Sequence, residues 1–413
     1  LLQDGRACDA LASFDAAIAG NPQHFQAFNN RGNALRALDR LEEAVASYDG
    51  AIRLQPGLAI AHLNRASALQ DLGRFAEAFD AYDRAIALRP DFHAAFRGRG
   101  TLNLLLGRMR EGFADFEHRL QTNDATVHPR LQRVPTWQGE DLAGKSILVY
   151  GDGAFGDLLQ FCRYLPLLIR AGARVTLIVP ASFRKVLEPA LAEVRVISAV
   201  EHIDRPDLRC ELMSLPFLLD TDLASIPPCI DLQPPLQRKS WLAGSNGKSL
   251  NVGICWQGNP ARDIDRGRSI PLIEFYPLSQ ISGVRLVSLQ KLHGLEQLQR
   301  LPSDMPVEIF GSDFDAGADA FVDTAAVMAE LDLIITSDTA VAHLAAALGR
   351  PTWIALKFVP EWRWMLGRND SPWYPTVRLF RQRELTRWAP VFEDIAGALS
   401  EIAVLKAAKS GAA

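Results

Sequence analysis

Cysteine is scarce and unpatterned in this chain of 413 residues. The five thiols (Cys8, Cys162, Cys210, Cys229, Cys255) are odd in number and form no C-x-x-C pair. That argues against a disulfide framework and a zinc site and fits a reducing compartment. Long apolar runs are missing too. No stretch reaches the ~18 residues of a membrane span, and the best candidates, 165–169 and 175–179, are separated by Arg170 and Arg174. Neither sign of charge dominates: a net charge of -4 gives no global pull toward nucleic acid or an anionic membrane. No signal peptide is expected at Leu1. The expectation is a cytoplasmic protein with no membrane span and no nucleic-acid partner. At roughly 150 residues per domain, the length suggests two or three units.

What is present first is a repeat. Pro22, Pro56 and Pro90 lie 34 residues apart, the tetratricopeptide period. Small residues recur in register, as Gly32, Ala44 and Ala51, then Ala66, Ala78 and Ala85. A large ring recurs on the second helix as Phe14, Tyr48, Tyr82 and Phe116. Residues 1–24 read as the second helix of an earlier copy, so further chain upstream is expected. A third copy from His93 loses the closing Ala-Ile and proline. The first 124 residues resemble tetratricopeptide repeats, whose helix pairs stack into a solenoid. Asn30 and Asn64, also 34 apart, fall on the first helix of successive copies, the face lining the concave groove. An amide offers a donor and an acceptor, so such a row can grip a peptide backbone. The row resembles the asparagine ladder of O-GlcNAc transferase, and Gly98 interrupts it in the third copy. The plainer reading is a polar residue on an exposed helix.

After a linker, strand and helix patterns alternate. Apolar runs at 147–149, 175–179 and 194–197 predict one parallel sheet. A broken polar stretch from Pro227 to Lys248 separates them from a second set at 252–255, 286–289, 307–310, 333–335 and 353–356. The expected class is an α-solenoid over 1–124 followed by two Rossmann-like α/β lobes, 125–248 and 249–413, with ligands at the strands' carboxyl ends.

Gly151, Gly153 and Gly156 spell G-x-G-x-x-G after the first strand. A dinucleotide site would want an acid at the end of the next strand, which ends instead in Pro180-Ala181-Ser182. The acid here is Asp157, in the first helical turn, where the dipole favours a carboxylate. It reads as a general base at a cleft or as a helix-stabilising acid, with Gly153, Phe155 and Gly156 as the loop beside it. In the second lobe, Ser337, Asp338 and Thr339 form a turn before a small-residue helix carrying His343. Free amides at that helix start suit an anion, and His343 could reach a ribose or phosphate or be structural.

The pattern D-T-x-x-x-H-L-A-A-A-L-x-x-P, with strand-G-D-helix before it, resembles the heptosyltransferases, family nine of the glycosyltransferases, over residues 145–405. The resemblance implies a GT-B fold, a nucleotide diphosphate sugar as substrate and no cofactor. It implies Asp157 as base and Ser337, Asp338, Thr339 and His343 at the nucleotide. It places Trp256, Gly258 and Asn259 at a strand end near the donor, and Arg266 or Arg268 on the diphosphate. Heptosyltransferases lack the repeats, so the acceptor, protein or glycan, does not carry over. No metal is expected: three D-x-D occurrences (Asp220/Asp222, Asp263/Asp265, Asp313/Asp315) look like chance among 48 acids. Trp362, Arg363, Trp364, Trp373 and Tyr374 are expected in one loop near the cleft, stacking on a ligand or packing the last helix. Two rivals stand beside the transferase: a repeat scaffold with a degenerate transferase domain, and a nicotinamide oxidoreductase.

Overall fold

The computed structural model describes residues 6–121, 128–151, 154–200, 205–234, 241–242, 249–261, 265–317 and 321–411. The chain forms two compact units. One takes in Leu1–Asp124 together with Glu361–Leu366, the other Ala125–Pro360 and Gly367–Ala413.

The repeat unit begins with α1 (Ala7–Gly20), the lone second helix expected from the period. Three antiparallel pairs follow: α2 (Phe25–Ala37) with α3 (Leu41–Leu54), α4 (Ala59–Asp71) with α5 (Phe75–Leu88), and α6 (His93–Leu105) with α7 (Met109–Phe116). The small residues do what the period implies. A Cβ on Gly32 would come within 2.7 Å of Tyr48 Cζ. Ala44, Ala51, Ala66, Ala78 and Ala85 are wholly buried between helices. Each copy is also stapled to the one before it. Arg31, Arg65 and Arg99 on the first helices reach Asp15, Asp49 and Asp83 on the preceding second helices, at 2.6, 2.6 and 2.7 Å. The third copy runs down as its sequence suggests: α7 has 8 residues and passes into 3-10 turns at Glu117–Gln121.

Trp362–Trp364 is a 3-10 turn of this same unit, with the Trp362 ring edge-on to Phe113 at 5.8 Å. Trp373 and Tyr374 belong to the other unit. The expected single aromatic loop is therefore two separate features.

In the second unit the chain alternates strand and helix: β1 (Ser146–Tyr150), α8 (Phe155–Phe161), α9 (Leu165–Arg170), β2 (Arg174–Ile178), α10 (Ala181–Leu187), β3 (Arg195–Ile197), β4 (Leu208–Glu211) and the one-turn α11 (Leu215–Leu218). The sheet runs β3-β2-β1-β4, all parallel, with Ile147 level with Val175 on one side and Leu208 on the other. Strand β4 was not expected, because LRCE alternates and is too short to read as a buried run. The preceding linker is not loose. Trp137 N–H donates to the Arg209 carbonyl at 2.8 Å, and Leu131 and Val134 pack on Leu148.

The second sheet holds β5 (Leu250–Cys255), then, past the one-turn α12 (Tyr276–Ser279), β6 (Val284–Ser288) and β7 (Val307–Glu308). After α13 (Val322–Glu330) come β8 (Leu333–Ser337), α14 (Ala340–Ala347), β9 (Thr352–Leu356), β10 (Val377–Arg381) and α15 (Ala389–Gly411). Its order is β10-β9-β8-β5-β6-β7, again all parallel. The unexpected β10 carries Arg378 and Arg381 among its apolar residues and so breaks the run. The core under α15 joins Phe392, Ile395 and Leu399 to Phe275, Leu286 and Trp353.

Parallel sheets expose ligand crevices where strand order reverses. The first sheet reverses between β1 and β4, the second between β5 and β8. The turns after β1, β5 and β8 are those already singled out in the sequence.

Candidate functional site

Beyond β1 the chain leaves at Gly151, and Ala154 is extended before α8. Gly153 lies outside the described residues. Asp157 sits in the first turn, half-buried, and its Oδ2 accepts the Ala154 N–H at 2.8 Å. The carboxylate thus caps the start of its own helix. Phe155 is buried, stacked on Phe183 of α10 at 4.1 Å and on Phe321, just before α13, at 4.6 Å. One ring of this trio comes from beyond the second sheet's first three strands, so Phe155 joins the two sheets' helices. Phe321 holds a left-handed backbone at φ 66°, uncommon for a bulky residue and a sign of local strain.

Beyond β5 the loop is built from amides. Gln290 Oε1 accepts from the Trp256 and Gln257 N–H groups at 3.1 and 3.0 Å, and its Nε2 donates to the Gln257 carbonyl at 2.8 Å. Trp256 is wholly buried, and its indole donates to the Gly294 carbonyl at 3.2 Å. Trp256 therefore holds the loop from below and offers no face to a ligand. Gly258 N–H donates to Ser269 Oγ at 3.1 Å, and that hydroxyl donates to Asp265 at 2.8 Å. A Cβ at Gly258 would meet Arg268 Nη2 at 2.8 Å, so the side-chain ends of Arg268 and Asp265 close over this glycine. Asn259 Oδ1 takes the Ala261 N–H at 3.0 Å, closing a local turn. Arg268 is paired with Asp265 at 3.4 Å, both largely buried. The carbonyl of Arg266 accepts from Lys357 Nζ at 3.2 Å.

Beyond β8, Ser337 and Asp338 are buried. Thr339 is the extended N-cap of α14, and its own side chain makes no capping hydrogen bond. The Thr339 hydroxyl instead lies near Cys255 Sγ and Thr336 Oγ1, at 3.8 and 3.3 Å. Burial pushes the Cys255 thiol up to about 11, so it is a core group and not a nucleophile at neutral pH. His343 is buried, and its Nδ1 is 3.0 Å from the hydroxyl of the fully buried Tyr374.

The two motifs meet. A Cβ on Gly156 would lie 2.7 Å from His343 Cδ2, so the start of α8 is pressed against α14. Behind that contact, Arg163 donates to the Pro227 and Trp373 carbonyls at 3.2 and 2.7 Å, and its guanidinium lies 5.0 Å from the Tyr374 ring centre. Sequence reasoning missed Gln290, Phe321 and Arg163: none repeats, and none sits in a recognisable motif. Tyr374 was noticed as an aromatic, yet it serves as a buried partner of His343.

Among the acids of the D-x-D pairs, Asp265 is taken up by Arg268 and Ser269, and two others hold backbone amides. Asp222 takes the Ala224 and Ser225 N–H groups, and Asp315 takes the Asp323 N–H at the start of α13. Among the described residues no three His, Cys, Asp or Glu are grouped to hold a metal.

The tetratricopeptide repeat family matches residues 1–59 and 59–92, and glycosyltransferase family 9 (heptosyltransferase) matches 280–356, which run from β6 to β9 and include α13 and α14. The chain carries tetratricopeptide repeats and a family 9 glycosyltransferase domain. The two parallel sheets that follow the helical repeats in the sequence are consistent with a GT-B-like architecture. Protein FlbA of Caulobacter vibrioides is 30% identical over 303 residues, covering 67% of this chain and 50% of FlbA. The chain thus spans about half the length of the curated relative it matches. Among solved structures, the iron-containing dodecameric glycosyltransferase TibC of enterotoxigenic E. coli aligns with 66% of this chain and 78% of its own, at 13% identity and a TM-score of 0.43. A tetratricopeptide repeat protein from Parabacteroides merdae aligns with 32% of this chain and 52% of its own, at 28% identity and a TM-score of 0.27. No described helix is long and apolar enough to cross a membrane.

Proposed function

We propose that the second unit transfers a sugar from a nucleotide diphosphate donor to an acceptor. The donor binds the 249–413 lobe, the acceptor the 125–248 lobe. The observation that carries this reading is the contact of Gly156 with His343, which sets the Asp157 turn beside the start of α14. An acid able to take a proton then stands next to a helix start able to receive a phosphate. In the reaction Asp157 accepts the acceptor hydroxyl's proton as the new glycosidic bond forms. The bond from the sugar to the diphosphate breaks, and the charge left on the diphosphate is met by the α14 amides and a nearby cation. The transition state is oxocarbenium-like. The reaction as drawn uses no metal or other cofactor.

The repeats would present the acceptor or a partner protein. Asn30 and Asn64 support this by their linkage: Asn64 Nδ2 donates to Asn29 Oδ1 at 2.9 Å, and Asn29 Nδ2 to Asn30 Oδ1 at 3.2 Å. The amides form one connected polar row across two copies. The row stops at Gly98 for a steric reason, since a Cβ there would lie 2.8 Å from Tyr82 Cζ.

A second reading, a scaffold whose transferase domain no longer turns over, is favoured by the capping bond of Asp157, which gives the carboxylate a structural task. One substitution separates the two. Asp157→Asn can still accept the Ala154 N–H but cannot take up a proton. A thermal-shift panel of nucleotide diphosphate sugars identifies the donor by the stability it adds. With that donor, the variant is expected to bind as the parent does and to release nucleoside diphosphate about 10²–10⁴-fold more slowly. Equal turnover in parent and variant places the base elsewhere; no turnover in either supports the scaffold.

A further inference from the structure

Arg163 is a buried cation to which the proposed transfer gives no task. It lies in the 3-10 turn Cys162–Tyr164 that follows α8, only 2% exposed. Among the described residues no carboxylate pairs with it. The guanidinium collects backbone carbonyls instead. Its Nε donates to Gln160 at 2.7 Å, and its Nη1 to Pro227 at 3.2 Å and to Trp373 at 2.7 Å. Its Cζ lies 5.4 and 5.0 Å from the ring centres of Trp373 and Tyr374.

A charge is costly to bury unless hydrogen bonds hold it, and these three bonds join distant parts of the chain. Gln160 belongs to the last turn of α8, where the carbonyls carry the negative end of the helix dipole. Pro227 lies between α11 and β5, where the chain passes from the first sheet to the second. Trp373 lies between β9 and β10 of the second sheet. Both ends of this span lead to the Gly156–His343 contact. Along α8, the Arg163 end of the helix is one short rod away from Gly156, which presses on His343. Along the other path, Trp373 is followed by Tyr374, whose hydroxyl is 3.0 Å from His343 Nδ1. The contacts therefore close a circuit, from Arg163 through α8 and Gly156 to His343, and back through Tyr374 and Trp373.

We propose that Arg163 is a positioning residue for the transfer, which locks the start of α8 on His343 by closing this circuit. Its effect on turnover rests on the transferase reading; the lock itself does not. Arginine suits the task by shape. Its planar fork reaches carbonyls of three segments at once, where the compact ammonium of lysine has no such fork.

The test uses the full chain and two readouts, amide hydrogen exchange and turnover of the donor found in the thermal-shift panel. Arg163→Lys keeps the charge and loses the fork. Exchange is expected to quicken about tenfold or more in α8 and at the start of α14. The kcat should fall about 10–100-fold with the donor KM little changed, as for a misplaced reacting group. Phe392→Leu, in the core under α15, is the control for lost stability alone. It should quicken exchange around α15 and leave the kcat of the folded protein unchanged. Tyr374→Phe opens the same circuit at its other end without touching a buried charge, so it carries the test if Arg163→Lys does not fold. Combined with Arg163→Lys it should add little, because a circuit already open is not opened again. Unchanged exchange at α8 and α14, or an equal change there in Phe392→Leu, overturns the lock. Quickened exchange with the parental kcat leaves the lock standing and removes its part in the transfer. If the parent turns over no nucleotide sugar, the transferase reading falls, and exchange alone decides the lock.

Discussion

Gly156 is where two motifs nearly two hundred residues apart touch. Its missing side chain is a requirement of distance, since a Cβ would lie 2.7 Å from His343 Cδ2 and 3.3 Å from its Nε2. The imidazole has little room to withdraw, because the ring is buried and its other side is held by the Tyr374 hydroxyl. Gly156→Ala should therefore separate α8 from α14 or force His343 from its rotamer, at a cost of about 1–3 kcal/mol. Gly397 is the control. It lies exposed within α15 with nothing near its would-be Cβ, and Gly397→Ala should gain up to ~1 kcal/mol of helix propensity. Urea unfolding of the two variants should move in opposite directions. A neutral Gly156→Ala would mean that the interhelical contact relaxes freely.

At the scale of elements, the legible and the illegible divide by period and distance. The 34-residue spacing located the described repeat helices, and apolar runs located eight of the ten strands among the described residues. The Arg–Asp staples carry the same period and could have been found from it: Arg31, Arg65 and Arg99 stand in register, as do Asp15, Asp49 and Asp83. Strands β4 and β10 escaped because one is short and the other carries arginines. The site turns were visible as motifs, but their meeting at Gly156 and His343 was not, since no periodicity reports a contact between helices of different sheets. The Trp362 turn was misplaced for the same reason. Its WRW sequence suggests a ligand loop, yet the turn belongs to the repeat unit, where Trp362 is buried against Phe113 and Phe116. The third copy has a short second helix, and this turn covers the rings that helix presents. Trp362→Ala should cost about 3–5 kcal/mol, as large-to-small changes in cores do. The loss should appear in the helical circular dichroism of the repeat unit as a lower melting transition. An unshifted melt would make the turn a passive neighbour.

At the scale of the whole molecule, the two units should answer acid in opposite senses. In the repeat unit, burial holds His62 and His118 below the usual imidazole range, and His93 adds to the effect on His118. The geometry agrees. His93 and His118 face each other Nδ1 to Nδ1 at 2.8 Å, so one nitrogen must be bare to accept. Phe96 stacks on the His118 ring at 4.0 Å, with Asp115 and Arg99 as the nearby charges of opposite effect. A lowered folded value means that the unfolded chain binds more protons below about pH 6.5. This stability is therefore complete above pH 6.5 and is lost as pH falls from there toward the folded values. The second unit has the reverse pattern, with the carboxyls of Glu274 and Asp315 raised by burial. At these two groups the folded state takes up protons first, so their titration adds to stability in acid, while Glu188, Asp207 and Asp370, held down by hydrogen-bond partners, act in the opposite sense only at lower pH. The carboxylates lowered by arginine partners, such as Glu43 and Glu77, begin to matter only below about pH 4.5. Between pH 7.5 and 5.5 the repeat unit's calorimetric transition should thus move down while that of the second unit holds or rises. His118→Gln keeps an amide beside His93 but cannot titrate, and it should flatten part of the repeat unit's slope. If both transitions fall together, the two units unfold as one cooperative body and the histidines do not set the difference.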